Sequence, residues 1–177
     1  HAAKAREHLR LGGMPGGFEI DGILWPSEFN TPAVEIARAQ LAAIGIKLNL
    51  KAFEVTVATE KFYYANEAHL YLTTWPRQPE PAINATNLYY SGGFYNAGKL
   101  KDARMDALVD EGAATIDPDK RRAIYRRIDE IVLGEAWITP LIYGVTYAAA
   151  HKHVMGMDEV FSYDARMYLH RMWLKKA

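Results

Sequence analysis

The stretch Thr31-Pro32-Ala33-Val34-Glu35-Ile36-Ala37-Arg38-Ala39-Gln40-Leu41-Ala42-Ala43-Ile44-Gly45-Ile46-Lys47-Leu48-Asn49-Leu50-Lys51-Ala52-Phe53 changes its hydrophobic period partway along, and that change decides the fold. Val34, Ala37, Leu41 and Ile44 recur at helical spacing, so one apolar stripe runs down a helix over 32–44. Thr31 before Pro32 reads as an N-cap followed by proline in the first turn, where its missing N–H costs nothing. Gly45 stands where a helix C-terminus needs a residue of positive φ. From Ile46 to Phe53 apolar and polar residues alternate strictly, which is a strand with one buried face.

Working outward, Phe18-Glu19-Ile20-Asp21-Gly22-Ile23-Leu24-Trp25 alternates and then becomes uniformly apolar, a strand buried more deeply at one end. Strand, helix and strand within about 35 residues form a βαβ unit with a right-handed crossover. Residues 1–11 carry Ala2, Ala5 and Leu9 on one helical face, closed by Gly12-Gly13. Residues 55–66 mix helical and strand preferences. A third parallel strand over His69–Trp75 requires a crossover, which resolves them as helix. The chain begins without methionine and without an N-cap, as if inside a helix, and reads as a piece cut from a longer protein.

The third strand opens into Trp75-Pro76-Arg77-Gln78-Pro79-Glu80-Pro81. Its three prolines fix φ and withhold donors, so the strand ends and the loop is stiff. Such a loop either holds a small molecule or simply ends a strand over which Trp75 caps a core. Ala82–Tyr90 reads as a short helix containing a sequon, Asn84-Ala85-Thr86. Tyr89-Tyr90-Ser91-Gly92-Gly93-Phe94-Tyr95-Asn96 is an aromatic loop around two glycines that packs over a core edge or lines a cleft.

Asp102 and Asp117-Pro118 begin two more helices. The first turns Met105, Leu108, Val109 and Gly112 inward. The second turns Ile124, Ile128, Ile131 and Val132 inward, with Lys120, Arg121, Arg122, Arg126 and Arg127 outward on a solvated face. Trp137–Tyr147 is β-rich, with Pro140 early and Gly144 in its middle, and reads as a long strand or a crossing between sheets.

Composition restricts the chemistry. The 177 residues are half apolar, and 21 Lys and Arg balance 21 Asp and Glu without blocks, so no nucleic-acid surface is expected. Cysteine is absent, which removes disulfides and thiolate chemistry. No apolar run reaches the roughly 20 residues of a membrane helix. No nucleophile elbow, phosphate loop, dinucleotide fingerprint or zinc-protease motif occurs, and Ser27, Ser91 and Ser162 lie outside any nucleophile turn. His151 and His153 would face one side of a strand, but no carboxylate lies near them, so a solvated strand end is favoured over a metal site. Asp106, Asp110 and Glu111 share a helix and read as solvated. No catalytic residue, metal or cofactor is expected.

The order of these pieces resembles the carboxy-terminal part of the family 5 extracellular solute-binding proteins, the dipeptide, oligopeptide and nickel receptors of bacterial ABC importers. The resemblance rests on Lys4–Leu9 with Gly12–Phe18, on Ala39–Leu50, on Asp106–Gly112, and on Asp117–Arg121 with Ile138–Tyr143. It implies an α/β periplasmic-binding-protein lobe of class II with βαβ units and a mixed sheet over 1–140. Residues 141–177 would then cross back to the other lobe. It also implies a two-lobed, non-enzymatic receptor that is monomeric when full length. That receptor would lie in the periplasm or cell envelope, close on a peptide-like or other small polar solute, and dock on a membrane permease. The alternative is a ligand-sensing module of a transcription regulator on the same fold, which upstream sequence would distinguish.

By the same resemblance, the loop after the tryptophan faces ligand, with Trp75, Arg77, Gln78 and Glu80, and Tyr143 matches a ligand-facing aromatic of the strand between lobes. Tyr90 and Phe94 are further candidates. Peptide-binding members carry in this loop an aspartate that pairs with the peptide's α-ammonium group. Here Gln78 stands in its place when Trp75 is aligned, and alignment on Glu80-Pro81 leaves the loop one residue short. The expectation is a ligand other than an ordinary free-amine peptide, anionic or sugar-like, with Arg77 as a partner.

Overall fold

A computed structural model describes residues 1–76, 78–145, 147–159 and 168–175. The chain divides into two units, His1–Thr74 and Trp75–Ala177.

In the first unit, helix α1 (Ala2–Leu11) leads into strand β1 (Phe18–Leu24), helix α2 (Asn30–Ala42) and strand β2 (Ile46–Ala52). A helical segment, α3 (Val55–Thr59), continued by a π turn over Glu60–Tyr64, then brings the chain to strand β3 (Leu70–Leu72). The strands are parallel in the order β2-β1-β3, with Phe18 opposite Ile46, Leu24 opposite Ala52 and Gly22 opposite Leu70. The expected βαβ unit is therefore present. The central strand is the one whose sequence turns uniformly apolar, and Gly22, Ile23 and Leu24 are buried there with Leu48 and Val34.

Two glycines fix where the parallel pair starts. Gly17 and Gly45 have φ of +87° and +92°, and they pack backbone to backbone immediately before the first register pair. Gly16 carbonyl oxygen lies 2.7 Å from where a Cβ on Gly45 would be. The turn expected before α2 is built differently from the cap read in the sequence. The helix begins at Asn30, and Ser27 Oγ accepts the Asn30 N–H at 2.9 Å. Asn30 Nδ2 donates to the Trp25 carbonyl at 2.9 Å, so Thr31 already lies inside the first turn.

In the second unit, helix α4 (Pro81–Leu88) is followed by α5 (Ala103–Ala114) and α6 (Pro118–Gly134). Their core joins Ala85 with Met105, Leu108 and Val109 of α5 and Ile124, Ile128 and Val132 of α6, flanked by Tyr89, Tyr90, Tyr125, Ile131 and Trp137. Asp102 caps α5 through the N–H groups of Arg104 and Met105, and Asp117 caps α6 through those of Asp119 and Lys120, as the sequence indicates. The mixed sheet expected from the sequence is not formed among the described residues: both pairings of β2-β1-β3 are parallel, and the antiparallel pair β4 (Val154–Met155) with β5 (Trp173–Leu174) is a separate two-residue ladder.

Other expectations also need correction. The third strand spans only Leu70–Leu72, because its partner β1 ends at Leu24 and leaves Thr73 and Thr74 unpaired in the ladder. Of the two readings of Trp137–Tyr147, the long strand is absent at its described positions, and Leu141, Ile142, Val145 and Tyr147 are exposed, since no strand among the described residues offers them a ladder. Arg121 does not share the outward face of α6: it is half-buried and turned toward α4.

Candidate functional site

Of the candidate residues, Trp75, Glu80, Tyr90 and Phe94 lie on the segments flanking α4 and are tied together there or to the helices beside it. Trp75 is half-buried, and its indole N–H donates to Asn84 Oδ1 on α4 at 2.8 Å. Its ring meets Tyr95 edge-on at 5.3 Å, and Tyr95 in turn meets Phe94 at 4.7 Å. The loop tryptophan and the aromatic loop are thus joined through a residue outside the candidate set, Tyr95. Phe94 is 61% exposed.

Asn84 belongs to the sequon read in the sequence, yet its side-chain oxygen is the acceptor that orients Trp75. An asparagine nine residues beyond a tryptophan carries no recognisable signal. Only the short helix that brings them together reveals the pair.

Glu80 closes the other end of the loop. One of its oxygens accepts the Ala82 N–H at 3.1 Å, which caps α4 ahead of Pro81. Arg121 Nη1 donates to the second oxygen at 2.9 Å, and Nη2 pairs with the first. Arg121 Nε also donates to the Gly112 carbonyl at 3.1 Å, and its guanidinium lies 5.5 Å from the centre of the Tyr125 ring. Arg121 with the Ala82 N–H holds the Glu80 carboxyl below its usual range, and Glu80 raises the Arg121 guanidinium. Arg121 was legible only as one of five basic residues on a helix, because its partner lies 41 positions away.

Tyr90 is half-buried against the helical core, and its hydroxyl donates to Asp110 Oδ2 at 3.4 Å. The negative charge of Asp110 raises the Tyr90 phenol. The Ser91 N–H donates to Asp106 Oδ1 at 2.7 Å. Asp106 and Asp110, read as solvated, therefore secure the aromatic loop to α5. Buried Asn96 completes that loop: its Nδ2 donates to the Tyr90 and Leu100 carbonyls, and its Oδ1 accepts the Leu100 N–H.

Gln78 is half-buried in the middle of the proline loop, and Arg77 lies outside the described residues. Tyr143, in the irregular segment after α6, is 88% exposed and joins none of these groups. His151 and His153 stack at 5.5 Å, and no group of three metal-ligating side chains occurs among the described residues. A cavity of about 40 Å³ in the first unit, lined in part by Asp21, Asn49, Lys51 and Glu67, has room for a few waters and is too small for a peptide or sugar. No helix among the described residues is long and apolar enough to cross a membrane.

The arrangement is a stiff polar loop pinned at its two ends, by Asn84 at Trp75 and by Arg121 at Glu80. Aromatic rings flank one end of it. Such a surface can orient a polar solute, while nothing in it joins a nucleophile to a base.

No protein-family model matches the chain. It is 29% identical over 164 residues to a dipeptide-binding protein of Pseudomonas aeruginosa, covering 87% of this chain and 30% of that protein. It is 27% identical over 122 residues to the oligopeptide-binding protein OppA of Mycobacterium tuberculosis, covering 69% of this chain and 21% of that protein. Among solved structures, the periplasmic binding protein DppA of Helicobacter pylori, in complex with the peptide STSA, superposes with a TM-score of 0.77 at 21% identity, over 98% of this chain and 34% of that one. The relatives are binding proteins, and the structural likeness shows the fold. The chain spans about a fifth to a third of the length of the curated relatives it matches.

Proposed function

We propose that this chain, which matches part of a family 5 extracellular solute-binding protein, supplies most of the second lobe of a solute receptor for an ABC importer. In this reading residues 1–140 form that lobe and 141–177 return to the first. The receptor captures a peptide-like or other small polar solute in the cleft between lobes, outside the cytoplasm, and presents it as a monomer to a membrane permease. It catalyses nothing.

The observation that carries the reading is the loop Trp75–Pro81. Its prolines restrict the backbone, Trp75 is oriented by Asn84, and α4 is capped by Glu80, so the two ends of the loop are held before any solute arrives. Trp75, Arg77 and Gln78 are the proposed contacts from the loop, Tyr90 and Phe94 flank them, and Tyr143 contributes once the second lobe closes. Glu80 supports the loop from behind.

Native mass spectrometry of the full-length protein as purified tests this. The expected result is a retained small solute that denaturation releases. A protein that carries no solute, and whose melting temperature no member of a di- to pentapeptide and polar-solute panel raises, would refute the receptor reading.

A further inference from the structure

Between Trp75 and Pro81 the sequence holds a single carboxylate, Glu80. Both oxygens of that carboxylate are engaged, although about a third of its side chain is exposed. Its oxygens take both terminal nitrogens of Arg121 in a forked pair and the Ala82 N–H besides. The guanidinium is anchored independently of Glu80: Nε is held by the Gly112 carbonyl and the plane lies against Tyr125. A ligand ammonium group would have to displace a planar, doubly bonded guanidinium with a single-point cation, and the guanidinium is the better match.

We propose that Arg121 is a specificity-determining positioning residue. By occupying Glu80 it withdraws the loop's carboxylate from the solute, so the loop receives a neutral or anionic group. The inference rests on the reading of the loop as ligand-facing. Arg121 itself acts through Glu80 and needs no contact with solute.

The test has two arms, both on the full-length protein. In the first, carboxylates are amidated with a carbodiimide and glycine ethyl ester and quantified by peptide mass spectrometry. Glu54 is the internal reference, because it too caps a helix by accepting an N–H two residues on, that of Thr56 at 3.0 Å, and pairs with no arginine among the contacts described. Arg121→Gln should raise Glu80 labelling relative to Glu54 about tenfold, the scale of a lost charge-assisted pair. Arg121→Lys, which keeps the charge and the helix, should label in between and serves if the glutamine variant does not fold. In the second arm, calorimetry compares trialanine with N-acetyl-trialanine. Arg121→Gln should shift preference toward the free amine about tenfold, and Glu80→Gln added to it should abolish the shift.

Equal labelling of Glu80 in wild type and variants overturns the role of Arg121 itself. Shielding with an unchanged preference, or with no binding of either probe, overturns the specificity claim and locates the failure in the placement of the loop at the ligand.

Discussion

Replacing Gly17 with alanine should cost the first unit more than any other change in the α1–β1 turn. A Cβ on Gly17 would overlap the Gly45 carbonyl carbon and oxygen and lie 2.7 Å from Gly45 Cα. All three are backbone atoms of a residue itself at positive φ, so neither side can yield by a rotamer change. The left-handed conformation costs an alanine about 1–2 kcal/mol, and overpacking adds about 1–3 kcal/mol, which together make about 2–5 kcal/mol. That is a large share of a domain's whole stability of about 5–15 kcal/mol.

Two neighbours separate the terms. Gly13 also has positive φ, at +75°, but nothing lies within 4 Å of its Cβ position, so Gly13→Ala should cost only the conformational part, about 1–2 kcal/mol. Gly16 has open space and an ordinary φ, so Gly16→Ala should be neutral or stabilise by up to about 1 kcal/mol. Urea denaturation of the full-length protein, followed by circular dichroism, measures all three. A Gly17 variant no less stable than the Gly13 variant would refute the idea that the crossing of the two backbones fixes the start of the parallel pair.

Further outcomes are expected in the second unit. Met105 is wholly buried between α5 and α6, so Met105→Ala should lower stability by about 2–5 kcal/mol in the same urea assay. Ala136 sits at φ +55° where α6 ends and the Trp137 N–H bonds back to the Val132 carbonyl, so Ala136→Gly should stabilise by about 1 kcal/mol in thermal melts. Arg104, through its side-chain hydrogen bonds, brings the Asp102 carboxyl down from 3.8 to about 2. A carboxyl lowered in the folded state stabilises above its unfolded value and loses that contribution as pH falls through the folded one. The stability advantage of wild type over Asp102→Asn should therefore hold above pH 3.8 and vanish as pH falls through about 2, which melts across that range would show.

The elements most legible in the sequence are those whose signal is local. The 3.6 and 2.0 periods on either side of Gly45 lie within one window, and α2 and β2 follow them to within two residues at each end. Asp102 and Asp117 act on donors two and three residues away, so their caps were readable too. The candidate site was legible only in outline, because what shapes it acts over distance. Glu80 reads as a loop acid until Arg121 arrives from α6, and Asp106 and Asp110 read as solvated until the Tyr90–Ser91 turn folds onto them. The start of α2 misled for a related reason. Thr31-Pro32 is a good cap pattern, but Ser27 and Asn30 form a tighter turn just ahead of it and take its place.

Trp137–Tyr147 shows that residue preference alone does not make a strand. Its β-branched and aromatic residues favour a strand, yet a strand exists only when a neighbour completes its ladder. In this chain Leu141, Ile142, Tyr143 and Val145 are exposed, an apolar run outside any strand among the described residues. If residues 141–177 return to a first lobe, as proposed, that lobe supplies the missing neighbour and Tyr143 is turned toward the solute by the same pairing. Hydrogen exchange on the full-length protein should then show the amides of Ile142–Val145 protected comparably to those of β1, which lies between two strands. Exchange of those amides at the rate of an open loop would refute both the return of the chain to the first lobe and the place of Tyr143 at the site.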